Sequence, residues 1–398
     1  MFEAVRGALY EQINACVDSL AVSEAVREHL DAIAKVPGAH SAFDSQLSAL
    51  VPDRKPWVIY DHCAALTRIY SILEIFISSL TKDVSEILPE IYASFEDLPD
   101  QTKAAYRKGY SKILLEYGEK HHLKEIKLKD LSRTVTAGIC NEQPYKLAAE
   151  PFLANKRAFR LPQIQSHLTD LGFEKIGSLI LSYPAIARIA SARPPEVDAF
   201  TFVKEAMNAF INARNDAAHT DVTGVWKIQD VKGAAYLIRD LCLAVMDSVE
   251  TQILELRLRK KQLTALGPVT ELHSNGKGII FTPVICTLEE EGELILVRNE
   301  KVRCSTIRSI QISSKPSQRC SVDGNTEVGL VLGFNSQLGD QVYVVREIAL
   351  MTPSASQVES PTEQDDELKE EDFLEPVDDF VDEENVDAAG DRGPEAPE

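Results

Sequence analysis

Arg214, Asn215 and His219 stand together at the end of a strongly patterned segment, VDAFTFVKEAMNAFINARNDAAHT, residues 197–220. An arginine can grip a phosphate with its planar fork of donors, and an asparagine can orient a hydroxyl or a phosphate oxygen. A histidine near neutral pH can carry a proton in either direction. Together these are the parts needed to break a ribose-phosphate chain by attack of its own 2'-hydroxyl, a reaction that needs no metal. The structural alternative is an arginine on a helix edge followed by a capping histidine.

The element that must position them reads as an amphipathic helix. Phe202, Val203, Ala206, Met207, Phe210 and Ala213 recur at steps of three and four, which turns one face to a core. Arg214 extends that apolar stripe four residues after Phe210, where a guanidinium calls for a partner. The spacing predicts that Asn215 and His219 share a face if the helix continues that far. Thr220, Asp221, Thr223 and Gly224 are expected to stop the helix and leave His219 at its carbonyl end, where the imidazolium form is favoured. Upstream, Arg193, Pro194 and Pro195 end one helix, with Glu196 and Asp198 suited to the positive end of the next.

The segment 58–80, VIYDHCAALTRIYSILEIFISSL, predicts a second core helix with Leu66, Ile69, Leu73, Phe76, Ile77 and Leu80 inward. Glu74 flanks that face, either as a supporting acid that orients Arg214 or His219, or as a solvated or salt-bridged flank. His62 carries the same pair of readings. The Arg-Asn-x-x-x-His pattern closing an apolar helix, with this upstream segment, resembles the HEPN superfamily and its RiboL-PSP-type branch over roughly 55–261. The resemblance implies a helical bundle that dimerises. In active members it implies a metal-independent endoribonuclease whose composite site lies between protomers, with Arg214, Asn215 and His219 as signature positions. Many HEPN proteins are binding or scaffolding modules, so fold alone does not settle activity.

Length and composition bound the rest. A chain of 398 residues with 44% hydrophobic content has room for two or three globular domains. The net charge is −20, but 18 acidic and 2 basic residues lie from Met351 onward. The acidity therefore belongs to a tail, and residues 1–350 do not exclude a polyanionic partner such as RNA. Seven scattered cysteines without a C-x-x-C pair read as reduced thiols of a cytoplasmic protein. No cysteine lies at zinc-ligand spacing from a histidine, and no Walker or dinucleotide fingerprint occurs, so no metal and no cofactor are expected. The N-terminus shows no secretion signal, and the apolar stretch 176–190 is broken by Pro184 and Arg188, so no membrane association is expected.

Four segments follow. Residues 1–52 read as two or three short accessory helices, the second capped by Ser23. Residues 53–262 form the HEPN-like helical domain. Its basic positions, Lys124 to Arg133 with Lys156, Arg157 and Arg160, suit either an RNA path or a solvated face, and Phe152 and Phe159 suit base stacking only if exposed. The helix predicted over 225–261 carries Ile228, Val231, Ala235, Ile238, Leu241, Val245, Val249 and Ile253 inward and closes with Arg257, Arg259, Lys260 and Lys261. Residues 263–350 begin with a linker at Gly267, Pro268, Asn275, Gly276 and Gly278. They continue as five strands, 279–286, 293–297, 305–312, 327–332 and 341–345, in a small antiparallel β-domain. Residues 351–398 form an acidic tail expected to be disordered; it solubilises the chain, occupies an RNA groove in cis or docks a regulator.

The fold class expected is mainly α, with the small β-domain and the tail behind it. Two functions fit: a homodimeric endoribonuclease of a toxin or phage-defence system, with an antitoxin or regulatory partner, or a non-catalytic HEPN-type adaptor recruiting partners through the β-domain and tail.

Overall fold

The computed structural model describes residues 1–35, 53–119, 123, 125–154, 159–218, 224–273, 276–284, 286–298, 301–312, 315–322, 326–333 and 335–345. These fall within one compact unit ending at Glu347. The acidic tail and His219 lie outside the described residues, as do His121, His122, Lys124, Lys156 and Arg157.

The chain is mostly helical, with an antiparallel sheet region at its C-terminal side. The described helices are α1 (Glu3–Ala34), α2 (Arg54–Ile91), α3 (Asp100–Glu116), α4 (Leu128–Ile139), α5 (Glu150–Leu153), α6 (Leu161–Asp170), α7 (Ile176–Ser182), α8 (Pro184–Ser191), α9 (Ala199–Ala217) and α10 (Ile228–Arg259). The central member is α2, which packs against α1, α9 and α10. Its predicted inward positions Leu66, Ile69, Leu73, Phe76, Ile77 and Leu80 are all buried, and each such side chain contributes roughly 1.5–3 kcal/mol of transfer free energy. The α10 stripe from Val231 to Ile253 is buried against it. By length and composition α2 could cross a membrane, but half of its apolar window is buried within the bundle, as in a core helix.

The accessory-helix expectation for the N-terminus is corrected. Residues 3–34 form one continuous helix, and Phe2, Val5, Leu9, Ile13, Cys16 and Leu20 belong to the main core. Ser23 is interior to that helix rather than a cap. Its hydroxyl donates to Asp61 of α2 and accepts from Arg27 Nη1 at 3.0 Å, while Arg27 also pairs with Asp61. A polar position that reads locally as a start signal is here a cross-helix contact.

The α10 helix closes with Lys261 in the left-handed region (φ 58°) and Gln262 N–H donating to the Arg257 carbonyl at 2.9 Å. The first strand begins at once, so Gly267 and Pro268 lie in β1 (Leu263–Pro268) rather than in a linker. Its pairing shifts register between Ala265 and Gly267. Gly267 has φ 145°, and a Cβ there would meet the Thr282 carbonyl oxygen at 3.0 Å, so the bulge falls where a glycine suits it.

All five expected strands are present as β3 (Gly278–Phe281), β5 (Glu293–Arg298), β6 (Lys301–Ile312), β9 (Val328–Leu332) and β10 (Gln341–Val345). Short strands β2 (Glu271–His273), β4 (Cys286–Glu289), β7 (Lys315–Ser317) and β8 (Arg319–Val322) escape the periodicity because three or four residues hold too little pattern. The order is β1-β10-β5-β6-β9-β3-β2, with β7 beside β6 and a separate β4-β8 pair, all antiparallel. The twelve-residue β6 pairs β5 through its first half and β9 through its second. This region has its own core around Phe281, Leu294, Ile310 and Leu330. A third cluster, Leu254, Leu263, Ile295 and Val302, joins it to α10.

Candidate functional site

Asp198 opens α9 by accepting the Thr201 N–H at 2.9 Å, which sets the helix phase. Val203, Met207, Phe210 and Ile211 are buried, so the positions that follow on the same side are driven toward α2. Arg214 arrives there half-buried, with its guanidinium carbon 4.5 Å from the centroid of the Tyr70 ring on α2. Its Nη1 donates to Asn215 Oδ1 at 3.3 Å. Its Nε is buried and has no hydrogen-bond partner among the described residues.

Magnitudes decide what this arrangement favours. Stacking on an aromatic face contributes about 0.5–2 kcal/mol but engages the face of the guanidinium rather than its in-plane N–H donors. A buried donor left without an acceptor costs about 1–3 kcal/mol. The site therefore carries a positioned cation with donor capacity to spare, which an anionic acceptor would satisfy.

Tyr70 is itself fixed from two sides. Its hydroxyl accepts the Phe159 N–H at 3.3 Å and donates to Glu74, one turn further along α2. Burial pushes the Tyr70 phenol up, against the Phe159 amide and the Arg214 charge that pull it down. Burial likewise raises the Glu74 carboxyl above its ordinary range, although Arg214 and the Tyr70 hydrogen bond both favour its anion. Glu74 thus lies near enough to Arg214 across the α2–α9 contact for the two charges to interact.

A second guanidinium belongs to the same neighbourhood. Arg160, just before α6, donates from Nη1 to Asn208 Oδ1 at 2.8 Å and from Nη2 to Asn212 Oδ1 at 3.0 Å. Asn208, Asn212 and Asn215 recur at steps of four and three along one edge of α9. Sequence reasoning leaves Arg160 among diffuse basic residues and misses Tyr70, Asn208 and Asn212. The Tyr-x-x-x-Glu step on α2 and the asparagine run on α9 were the available signals.

Other expectations are corrected here. The α9 helix is described to Ala217, with Ala218 N–H bonded to the Arg214 and Asn215 carbonyls at 3.1 Å each, and the expectation for His219 lies outside the described residues. Phe152 and Phe159 are both buried, which removes them as base-stacking platforms. His62 is buried, its Nδ1 has no partner among the described residues, and burial lowers its pKa. Arg257 pairs with Glu90 at 2.5 Å and Lys260 lies 4.9 Å from the Tyr92 ring centroid, so the end of α10 is engaged with α2 and the residue after it.

The fold also gathers Glu250, Glu293 and Cys304, whose ligand atoms lie within 4.8 Å of one another, a grouping invisible to sequence spacing. The Met1 ammonium already pairs with both carboxylates there, and burial with the two acids pushes the Cys304 thiol up to about 12. A cavity of about 290 Å³ between α1 and α2, lined by Gln12, Cys16, Ser23, Asp61 and Arg68 among others, contains none of the Arg214 cluster. Comparison with protein-family models, curated proteins and solved structures finds no match to this chain.

Proposed function

We propose that this protein is a metal-independent endoribonuclease of the HEPN type, acting as a homodimer at a composite site between two protomers. The observation that supports this reading most directly is the half-buried Arg214, stacked on Tyr70 with an unsatisfied Nε donor. Such a group suits a phosphodiester whose negative charge grows in the transition state. In this reading Arg214 holds the phosphate and Asn215 positions the scissile group with the amide donors that its bond to Arg214 leaves free. His219 moves the proton, and Glu74 with Tyr70 keeps the guanidinium in place. Two copies of the signature meet across a twofold seam. The biological setting, a toxin or phage-defence effector with a regulatory partner, follows from the sequence resemblance.

The test is RNA cleavage in excess EDTA by wild type, Arg214→Ala and His219→Ala, with oligomeric state measured alongside. Cleavage by the wild type and losses of at least about a hundredfold in both variants are expected. Equal cleavage by all three, or strict dependence on a divalent ion, would overturn the assignment. A dimer without turnover would favour the adaptor reading.

A further inference from the structure

We propose that Arg160, held by Asn208 and Asn212, binds the phosphodiester next to the one gripped by Arg214, so that the edge of α9 forms a two-phosphate track for single-stranded RNA. The inference deepens the endoribonuclease reading and rests on it.

Three observations carry it. The first is the partners of Arg160. Two terminal nitrogens are fixed by neutral side-chain carbonyls at 2.8 and 3.0 Å, and among the described residues no carboxylate lies within ion-pair distance. A guanidinium serving only stability would be expected beside an acid that neutralises it; one oriented by amides keeps its whole charge available.

The second is its tie to the Arg214 site. The residue before Arg160 donates its backbone N–H to the Tyr70 hydroxyl, and the ring of that tyrosine carries Arg214. One side chain therefore contacts both the Arg214 guanidinium and the backbone that leads into Arg160. The third is spacing. Asn212, which holds Arg160, and Asn215, which touches Arg214, lie three residues apart on one helix edge. That is roughly 4.5 Å along the axis, the scale of one nucleotide step, which is about 3.4 Å in a stacked strand. Arg160 is half-buried, so its loss of freedom on binding a ligand is already met by the fold.

The experiment measures binding of an uncleavable 2'-O-methyl hexanucleotide and of a dinucleoside monophosphate across a salt series. It uses the full chain as wild type, Arg160→Ala, Arg160→Lys and Lys315→Ala, the last removing an exposed cation from β7. Arg160→Ala should weaken the hexanucleotide about tenfold and reduce the slope of log affinity against log salt by about 0.7, one single-strand phosphate; Lys315→Ala should match wild type. Arg160→Lys should restore the slope but not the full affinity, since an ammonium cannot use both asparagines in the same way. The dinucleoside monophosphate, with one phosphodiester, should lose less than the hexanucleotide. Asn212→Asp provides a second route that keeps Arg160 and places a carboxylate on it; weakened hexanucleotide binding is expected.

Wild-type affinity and slope in Arg160→Ala overturn the second subsite, and if wild type still cleaves RNA the endoribonuclease reading stands without it. Equal losses for both ligands place Arg160 on the same phosphate as Arg214 and also overturn the track. A wild type that neither binds nor cleaves RNA removes the parent reading and this inference together.

Discussion

The guanidinium of Arg214 rests on the ring of Tyr70, 4.5 Å from its centroid, and the hydroxyl of that ring is tied to the Phe159 amide and to Glu74. The two functions of Tyr70 can be separated. Tyr70→Phe keeps the π face and leaves the Phe159 amide without its partner, so thermal unfolding should show a loss of about 1 kcal/mol. RNA cleavage should stay within about threefold. Tyr70→Leu removes the face, and loss of a cation–π contact of about 1–2 kcal/mol predicts a fall of about tenfold in kcat/KM. Equal cleavage by the two variants would show that the stack does not position Arg214.

Glu74 gives a pH signature. Burial raises its folded-state pKa above the ordinary 4.5, so the folded protein holds a proton that the unfolded chain has released. Its ionisation therefore costs stability as pH rises from the unfolded pKa through the folded one, and the cost persists above that window. Glu74→Gln should flatten the stability curve just above pH 4.5. Denaturant unfolding at several pH values checks this; an unchanged slope in the variant would place the titration elsewhere.

Asp340 behaves in the opposite sense. Its burial favours the neutral acid, but the two 2.6 Å bonds from Arg298 and the Gln337 N–H at 2.9 Å outweigh that and lower its pKa. The stabilisation is present above the unfolded value of about 3.8 and is lost as pH falls through the folded value. Asp340→Asn should destabilise the sheet region by about 2–3 kcal/mol at neutral pH, with less difference from wild type below about pH 3. Chemical denaturation at pH 7 and pH 3 would test this, and a constant difference would contradict the sign.

Gly109 of α3 is packed directly on α5. A Cβ at this position would overlap the Pro151 carbonyl oxygen, so one backbone must move. Alanine raises helix propensity by about 1 kcal/mol, yet Gly109→Ala should lower stability by about 2–3 kcal/mol because overpacking against backbone outweighs it. A gain in melting temperature would refute the close approach.

The residues themselves determined several features of this protein. The 3.6-residue period marks α2, α9 and α10 because burying an apolar stripe requires that spacing, and the change to β-rich runs announces a sheet region, although its first strand, from Leu263, precedes those runs. The placement of Arg214 was equally legible, since an arginine that prolongs an apolar stripe needs a partner wherever it lands. Tertiary structure alone chose that partner. Phe159 and Tyr70 are 89 residues apart and Arg160 and Asn212 are 52 apart, and no local period encodes contacts between separate helices. The same limit explains Ser23, which has the type of a helix cap but faces Asp61 within an unbroken helix. Local propensity favours either role, and burial of the α1 face from Phe2 to Leu20 decided between them.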